Sequence, residues 1–353
     1  MSEKVLMKGN EAIAEAAIAA GCRHFFGYPI TPQTEVAAYM SKRMPKIGGV
    51  YLQAESEVAS INMVLGAGAA GVRVMTSTSS PGISLMSEGI SYIAGSDVPC
   101  LIVNVERGGP GLGGIQPSQS DYFQATRATG HGDFHLLVFA PSTVQETVDL
   151  ISDAFDLGDK YRMPTMILSD GLLGQMMEPV VLPEPKDPTD NKGWAAKGHE
   201  GKRKHNVINS LYIDPDELEQ LNFERFKKYD EIREKEQRAE EYLTDDADII
   251  LVAFGASSRV SHSAVDMARK AGIKAGLIRP ITLWPFPEKT IEKHVDHAKM
   301  FLSVEMNMGQ MVDDVKLIVA RRKPVYFYGR TGGMVPTPKE VYEKIVKLNG
   351  GEC

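Results

Sequence analysis

Over the first 180 residues, short apolar runs alternate with longer stretches whose apolar positions recur at helical spacing. The runs 24–26, 50–53, 72–76, 101–105, 136–139 and 165–168 read as strands, most of them buried. Residues 10–20, 58–70, 84–93 and 144–155 read as helices between them. Ile61, Val64 and Leu65 mark the buried stripe of the second helix, and Gly21 stops the first. Strands alternating with helices predict a parallel sheet covered on both faces, an α/β fold.

The pattern breaks near Val181. Residues 182–204 are rich in Pro, Gly, Lys and Asp and read as an extended crossing segment. Asp214 is a candidate N-cap with Pro215 at the first helical position. They open a highly charged helix to about Tyr242, on which Phe226, Tyr229 and Ile232 form an apolar stripe. A second α/β unit begins at Asp248, with strands at 249–254, 275–278, 301–305 and 325–328 and a helix at 261–271. The expected organisation is a first domain over 1–180, a linker with the charged helix over 181–245, and a second α/β domain over 246–353.

Composition narrows the function. A chain of 353 residues leaves room for two cores. A net charge of −7 argues against nucleic acid as the main partner, because phosphate binding wants a basic face. No apolar run reaches the roughly 18 residues that suggest a membrane span. The start, MSEKVLMKGNEA, enters the first helix without a signal-peptide core, so a cytoplasmic location is expected. Cys22, Cys100 and Cys353 are far apart and form no CxxC pair. Neither an iron–sulfur cluster nor a metal site is expected on this chain, and any cluster belongs on a partner.

Four turns carry candidate chemistry. Gly27-Tyr28-Pro29-Ile30-Thr31-Pro32 follows a strand, where two prolines stiffen the backbone and Thr31 offers a hydroxyl. It serves equally as a rigid connection. In Gln53-Ala54-Glu55-Ser56-Glu57, a helix opens on an acid, which either complements the helix dipole or works as a proton-exchanging carboxyl. Thr76-Ser77-Thr78-Ser79-Ser80-Pro81-Gly82 is a hydroxyl-rich turn that caps a helix or meets an anion. Arg107 leaves a strand into the glycine-rich loop 108–114, and its fork of donors suits a carboxylate. Gly109, Gly111 and Gly114 match GxGxxG formally, but Pro117 stands where a helix should start, so a nicotinamide site is a minor alternative and a mobile lid the better reading.

Together these pieces resemble the α subunits of 2-oxoacid:ferredoxin oxidoreductases. The matching text is GYPITPQTE at 27–35, QAESEVASINMVLGAGAAG at 53–71, TSTSSPGISLMSE at 76–88 and NVERGGPGLG at 104–113. In the second half, IRPITLWPFP at 278–287 and VEMNMGQ at 304–310 also fit. The resemblance implies a thiamine-diphosphate-binding domain of the pyrimidine type, followed by a transketolase C-terminal-like α/β domain. It implies that Glu57, fourteen residues before Gly71, is the activating glutamate, rather than Glu55. That glutamate hydrogen-bonds N1′ of the aminopyrimidine and favours the imino tautomer from which the reactive carbanion is made. Tyr28, Pro29, Ile30, Thr31, Ser79 and Ser80 would line the cofactor, with Thr31 near the substrate carboxylate and Arg107 toward substrate or coenzyme A.

The GDG…N motif that holds diphosphate and magnesium in thiamine enzymes is not evident in this sequence. The resemblance places it on a β subunit. It also implies a γ subunit and a ferredoxin-like subunit carrying the iron–sulfur clusters, with ferredoxin as the acceptor. The stretch 192–242, with NVINSLYIDPDELEQ, looks most like the branched-chain (2-oxoisovalerate) members. A 2-oxoglutarate member, a thiamine-dependent decarboxylase and a non-catalytic scaffold subunit remain alternatives.

Overall fold

The computed structural model describes residues 4–127, 129–187 and 192–351. Cys353, and residues 188–191 of the crossing segment, lie outside them. The first unit contains β1 (Val5–Lys8), α1 (Gly9–Ala19), β2 (His24–Gly27), α2 (Thr34–Arg43), β3 (Val50–Gln53), α3 (Glu57–Ala69), β4 (Val74–Thr78) and α4 (Pro81–Gly95). β5 (Cys100–Glu106), α5 (Tyr122–Thr126), β6 (Leu137–Phe139), α6 (Val144–Tyr161), β7 (Pro164–Asp170), α7 (Gly171–Gln175) and β8 (Met177–Val180) complete it. After the crossing segment come α8 (Pro215–Lys235), β9 (Ala239–Tyr242), β10 (Ile249–Val252), α9 (Gly255–Lys270), β11 (Ala275–Pro280) and β12 (Thr282–Trp284). The chain ends with α10 (Glu288–Val295), β13 (Met300–Glu305), α11 (Met311–Val319), β14 (Val325–Gly329) and α12 (Pro338–Asn349).

The first sheet has the order β12-β6-β7-β5-β4-β2-β3. Its strands are parallel except β12, which runs antiparallel to β6. Every residue of β4, β5 and β7 is buried, as central strands between two helical layers must be. Each fully buried aliphatic side chain, such as Ile102 or Val103, contributes about 1.5–3 kcal/mol. The second sheet, β14-β13-β10-β11-β9, is parallel apart from β9.

Several features depart from the expected layout; the helix expected at 261–271, for instance, already begins at Gly255. The charged helix stops at Lys235, not Tyr242, and the chain then turns so that Ala239–Tyr242 pairs antiparallel with β11. The strand expected at 72–76 is shifted to Val74–Thr78. β1 and β8 form a small antiparallel pair whose strands were not expected at all.

The two units are joined by more than a linker. β12 leaves the second unit and adds to the edge of the first sheet, Thr282 opposite Phe139 and Trp284 opposite Val138. Arg279 then grips Glu146 with two hydrogen bonds of 2.8 and 2.9 Å, and Glu240 with a third of 2.8 Å. One apolar cluster runs from Ile13 and Val103 through to Phe254, Leu283 and Phe301. No helix among the described residues is long and apolar enough to cross a membrane.

Candidate active site

β2 lies between β3 and β4, so the chain leaves β2 and β4 toward opposite faces of the sheet. A crevice opens at the carboxyl ends of strands at such a switch point. The four candidate turns leave the carboxyl ends of β2, β3, β4 and β5 there.

Glu57 enters from the β3 side. Ser56, in extended conformation, caps α3 by accepting from the Ala59 N–H at 3.3 Å, which starts the helix at Glu57. Glu57 is only 5% exposed. Its carboxylate accepts no hydrogen bond among the described residues. Facing it is Gly82, at the start of α4. A Cβ there would stand 1.9 Å from Thr78 Oγ1 and 2.9 Å from Glu57 Oε1, so only glycine allows this approach. The hydroxyls of Thr76, Thr78 and Ser79 are buried and have no partner. Each such group costs about 1–3 kcal/mol when left unpaired. An unpaired carboxylate beside unpaired hydroxyls fits a polar heteroaromatic ring better than it fits a core.

Arg107 borders the crevice from β5. It is 7% exposed, and no carboxylate lies within ion-pair distance of its guanidinium among the described residues. Nη1 donates to the Thr31 carbonyl at 3.0 Å and Nη2 to the Leu112 carbonyl at 3.1 Å, while Nε is buried without a partner. A buried cation lacking its counter-charge is suited to an anionic ligand. Thr31 meets Arg107 through its backbone, and its own side chain is exposed at the mouth. Tyr28 is exposed beside it, with Pro29 and Ile30 half-buried.

The Tyr28–Pro32 turn is fastened from below. Gln33 donates through its backbone to the Ile30 carbonyl at 3.1 Å and through Nε2 to the Tyr28 carbonyl at 3.4 Å. The Ser77 hydroxyl in turn donates to Gln33 at 2.6 Å. The Pro32 carbonyl accepts from Asn10 at 2.8 Å and from Gln175 at 3.3 Å, and both amides also hold Glu35 at 2.9 Å.

Ser80 is engaged elsewhere. Its hydroxyl donates to Asp121 at 2.6 Å and accepts from the Arg107 N–H at 3.0 Å. Asn104 also donates to Asp121, at 2.8 Å. Burial pushes the Asp121 carboxyl up, opposed by these two donors. Burial pushes Glu106 well above the usual carboxylate range, and the nearby Asp121 charge adds to the rise. Asp121 and Asn104 clamp Ser80, which in turn holds the Arg107 backbone, an arrangement that the sequence did not single out. Asn104 stands within a quoted motif, but Asp121 lies outside all of them and carried no signal.

The second unit holds the outer loops in place. Gln119 bonds the backbone of Met306 at both ends, the Phe254 carbonyl at 2.8 Å and the Ser257 hydroxyl at 2.9 Å. Glu305 fixes the 305–310 turn by accepting from the N–H groups of Met311 and Val312 at 2.8 and 2.9 Å. Loop 108–114 closes on itself through Gly114 N–H to the Gly108 carbonyl at 2.8 Å. The next helix after these glycines is the short Tyr122–Thr126, so the strand–glycine–helix order of a dinucleotide site is missing. A cleft of about 370 Å³ lies between the units, bordered by Ser80, Pro110, Asp121, Gln124, Gln310 and Thr331. A more open groove of about 770 Å³ lies between Asp313 and Val325 and includes none of these residues.

A switch-point crevice with this inventory, clamped by a second α/β unit, defines a thiamine-diphosphate-binding oxidoreductase subunit. Residues 15–249 match the family described as pyruvate flavodoxin/ferredoxin oxidoreductase, thiamine diphosphate-binding. Residues 247–341 match pyruvate:ferredoxin oxidoreductase core domain II. The chain belongs to this family and is a subunit of a 2-oxoacid:ferredoxin oxidoreductase, an enzyme of several subunits. It is 49% identical to the ketoisovalerate oxidoreductase subunit VorB of Methanothermobacter thermautotrophicus, over 98% of both chains. It is 37% identical to the 2-oxoglutarate synthase subunit KorA of the same organism, over 99% of this chain and 100% of that one. Among solved structures, a 2-oxoglutarate:ferredoxin oxidoreductase from Magnetococcus marinus, with 2-oxoglutarate, coenzyme A and succinyl-CoA bound, matches 98% of the chain with a TM-score of 0.87 and 29% identity. The present chain spans 65% of that longer one. A split-gene transketolase shares the fold at a TM-score of 0.59 and 12% identity, over 97% of each chain.

Proposed function

We propose that this chain is the α subunit of a complex that oxidatively decarboxylates a branched-chain 2-oxoacid, 2-oxoisovalerate. The products are the acyl-coenzyme A, carbon dioxide and reduced ferredoxin. The observation that carries the reading is the Glu57 carboxylate, buried at the head of α3 with no hydrogen-bond partner among the described residues. Thiamine diphosphate, when bound, supplies the electron sink for the carbon–carbon cleavage. Glu57 holds and exchanges a proton with a ring nitrogen of the aminopyrimidine. Tyr28, Pro29 and Ile30 wall the ring, Ser79 offers it a hydroxyl, and Ser80 keeps the edge of the pocket in shape. Arg107 and the Thr31 hydroxyl take the 2-oxoacid carboxylate.

Diphosphate and Mg²⁺ belong to a β subunit, and the iron–sulfur clusters to partner chains that include a γ subunit and a ferredoxin-like subunit. Support for the branched-chain substrate is the VorB likeness along the whole chain. A 2-oxoglutarate reading has support in the KorA relatives and in the ligands of the Magnetococcus structure.

The complex, co-expressed from the neighbouring genes, is assayed for viologen reduction with coenzyme A and a 2-oxoacid panel. 2-Oxoisovalerate is expected to give the highest kcat/KM. Preference for 2-oxoglutarate overturns the substrate assignment, and carbon dioxide release without viologen reduction identifies a decarboxylase. Glu57→Gln is expected to lower kcat by about 10²-fold or more. Full turnover in that variant removes Glu57 from the mechanism.

A further inference from the structure

Thr76 and Thr78 are two apart on β4, so their side chains share the sheet face that α3 and α4 cover. Ser77, between them, points the other way and is satisfied by Gln33. Thr78 is fully buried, its hydroxyl has no partner, and it rests against Gly82. The Glu57 carboxylate comes to the same face of that glycine. An unpaired donor and an unpaired acceptor therefore converge on one residue that lacks a side chain. A carboxylate that presents one oxygen to a ring nitrogen is aimed best when its other oxygen is held, and the Thr78 hydroxyl is the donor that approaches Gly82 together with it.

We infer that Thr78 is the positioning residue for Glu57. In the cofactor-bound complex its hydroxyl donates to the carboxylate and fixes the orientation in which Glu57 meets the cofactor ring. Gly82 supplies the space in which the two groups close. No side chain or backbone group among the described residues pairs with the hydroxyl, so it serves binding rather than folding. The inference rests on the proposed role of Glu57 and goes beyond it by naming what aims that residue.

Thr78→Val, Thr78→Ser and Thr78→Ala are made in the complete complex. Thr78→Val keeps the shape and deletes the hydroxyl. The melting temperature of the cofactor-free Val complex is expected to equal or exceed that of the parent. Its dissociation constant for thiamine diphosphate, from quenching of intrinsic fluorescence, is expected to rise about tenfold, the equivalent of one lost hydrogen bond. Its kcat falls while KM for the 2-oxoacid stays put, and Thr78→Ser restores both affinity and kcat. A lowered melting temperature with unchanged cofactor affinity in Thr78→Val overturns the inference. Equal cofactor affinity in Thr78→Ser and Thr78→Ala overturns it too, even if the Val variant does not fold. Loss of activity in Glu57→Gln alongside a neutral Thr78→Val leaves the proposed function standing and removes only this step.

Discussion

At the residue scale, Arg107 illustrates how a site side chain is held by what it does not need for chemistry. Two of its nitrogens are spent on the Thr31 and Leu112 carbonyls, which locks the fork, and the remaining Nε is buried without a partner. Its backbone is clamped at the same time by Ser80 and, through Ser80, by Asp121. Lysine keeps the charge but gathers its donors on one atom, without the planar fork that reaches the Thr31 and Leu112 carbonyls on separate nitrogens. Arg107→Lys is expected to raise KM for the 2-oxoacid by about 10–100-fold, the value of a charge-assisted hydrogen bond, with a smaller change in thiamine diphosphate affinity. Steady-state kinetics of the complex together with a cofactor titration check this, and an unchanged KM would count against Arg107 as the carboxylate ligand. As members of the candidate site, Arg107, Thr31, Glu57 and Ser79 were legible because each stands in a compact motif at a strand end. Asn10, Gln175 and Asp121 were not, because each reaches the site across a sequence gap that no local pattern records.

At the scale of elements, the placement of Glu57 depends on how closely α3 lies against α4. The contact is made at Gly89, where a Cβ would stand 2.4 Å from Ile61 Cγ2. Gly89→Ala therefore forces α3 outward, and overpacking of this kind costs about 1–3 kcal/mol. The expected outcome is a lower melting temperature in the cofactor-free complex together with a lower kcat, because the head of α3 carries Glu57. Circular-dichroism melts and single-turnover rates measure the two effects, and a stable variant with normal kcat shows that α3 can shift without moving its acid. Strand positions were read well where apolar runs were long, as in β5 and β7, whose pairing is buried on both sides. Ala239–Tyr242 was read as helix because its polar sequence AEEY carries no alternation, and only its partner β11 makes it a strand. β1 and β8 escaped for the same reason: four-residue strands, made by a pairing across most of the first unit.

At the scale of the molecule, the second unit is a structural part of the site rather than an appendage, since it lends β12 to the first sheet and the 305–310 turn to the loop behind Arg107. No reading of local periodicity could place Trp284 in the first sheet, because its partner strand is the distant β6. The seam between the units has its own pH sensitivity. His135 stacks on Trp284 with ring centres 4.4 Å apart and meets Tyr229 of α8 edge-on at 5.3 Å. Burial lowers its pKa to about 4, with the nearby Arg233 adding to the effect. Arg127, Asp314 and Glu288 border the same crevice. Because the folded value lies below the ordinary 6.5, the neutral ring stabilises the fold above pH 6.5, and that contribution is lost as pH falls from 6.5 toward 4. Carboxylates contribute their own acid sensitivity, so the test is a difference between two proteins. His135→Phe keeps the stack and removes the titration, so its melting temperature is expected to fall less than the parent's across that window. The two curves should run parallel above pH 7, where the parent ring is neutral already. Parallel curves through the whole range would mean that His135 contributes nothing to the acid response, and that the seam between the units is loosened by other groups first.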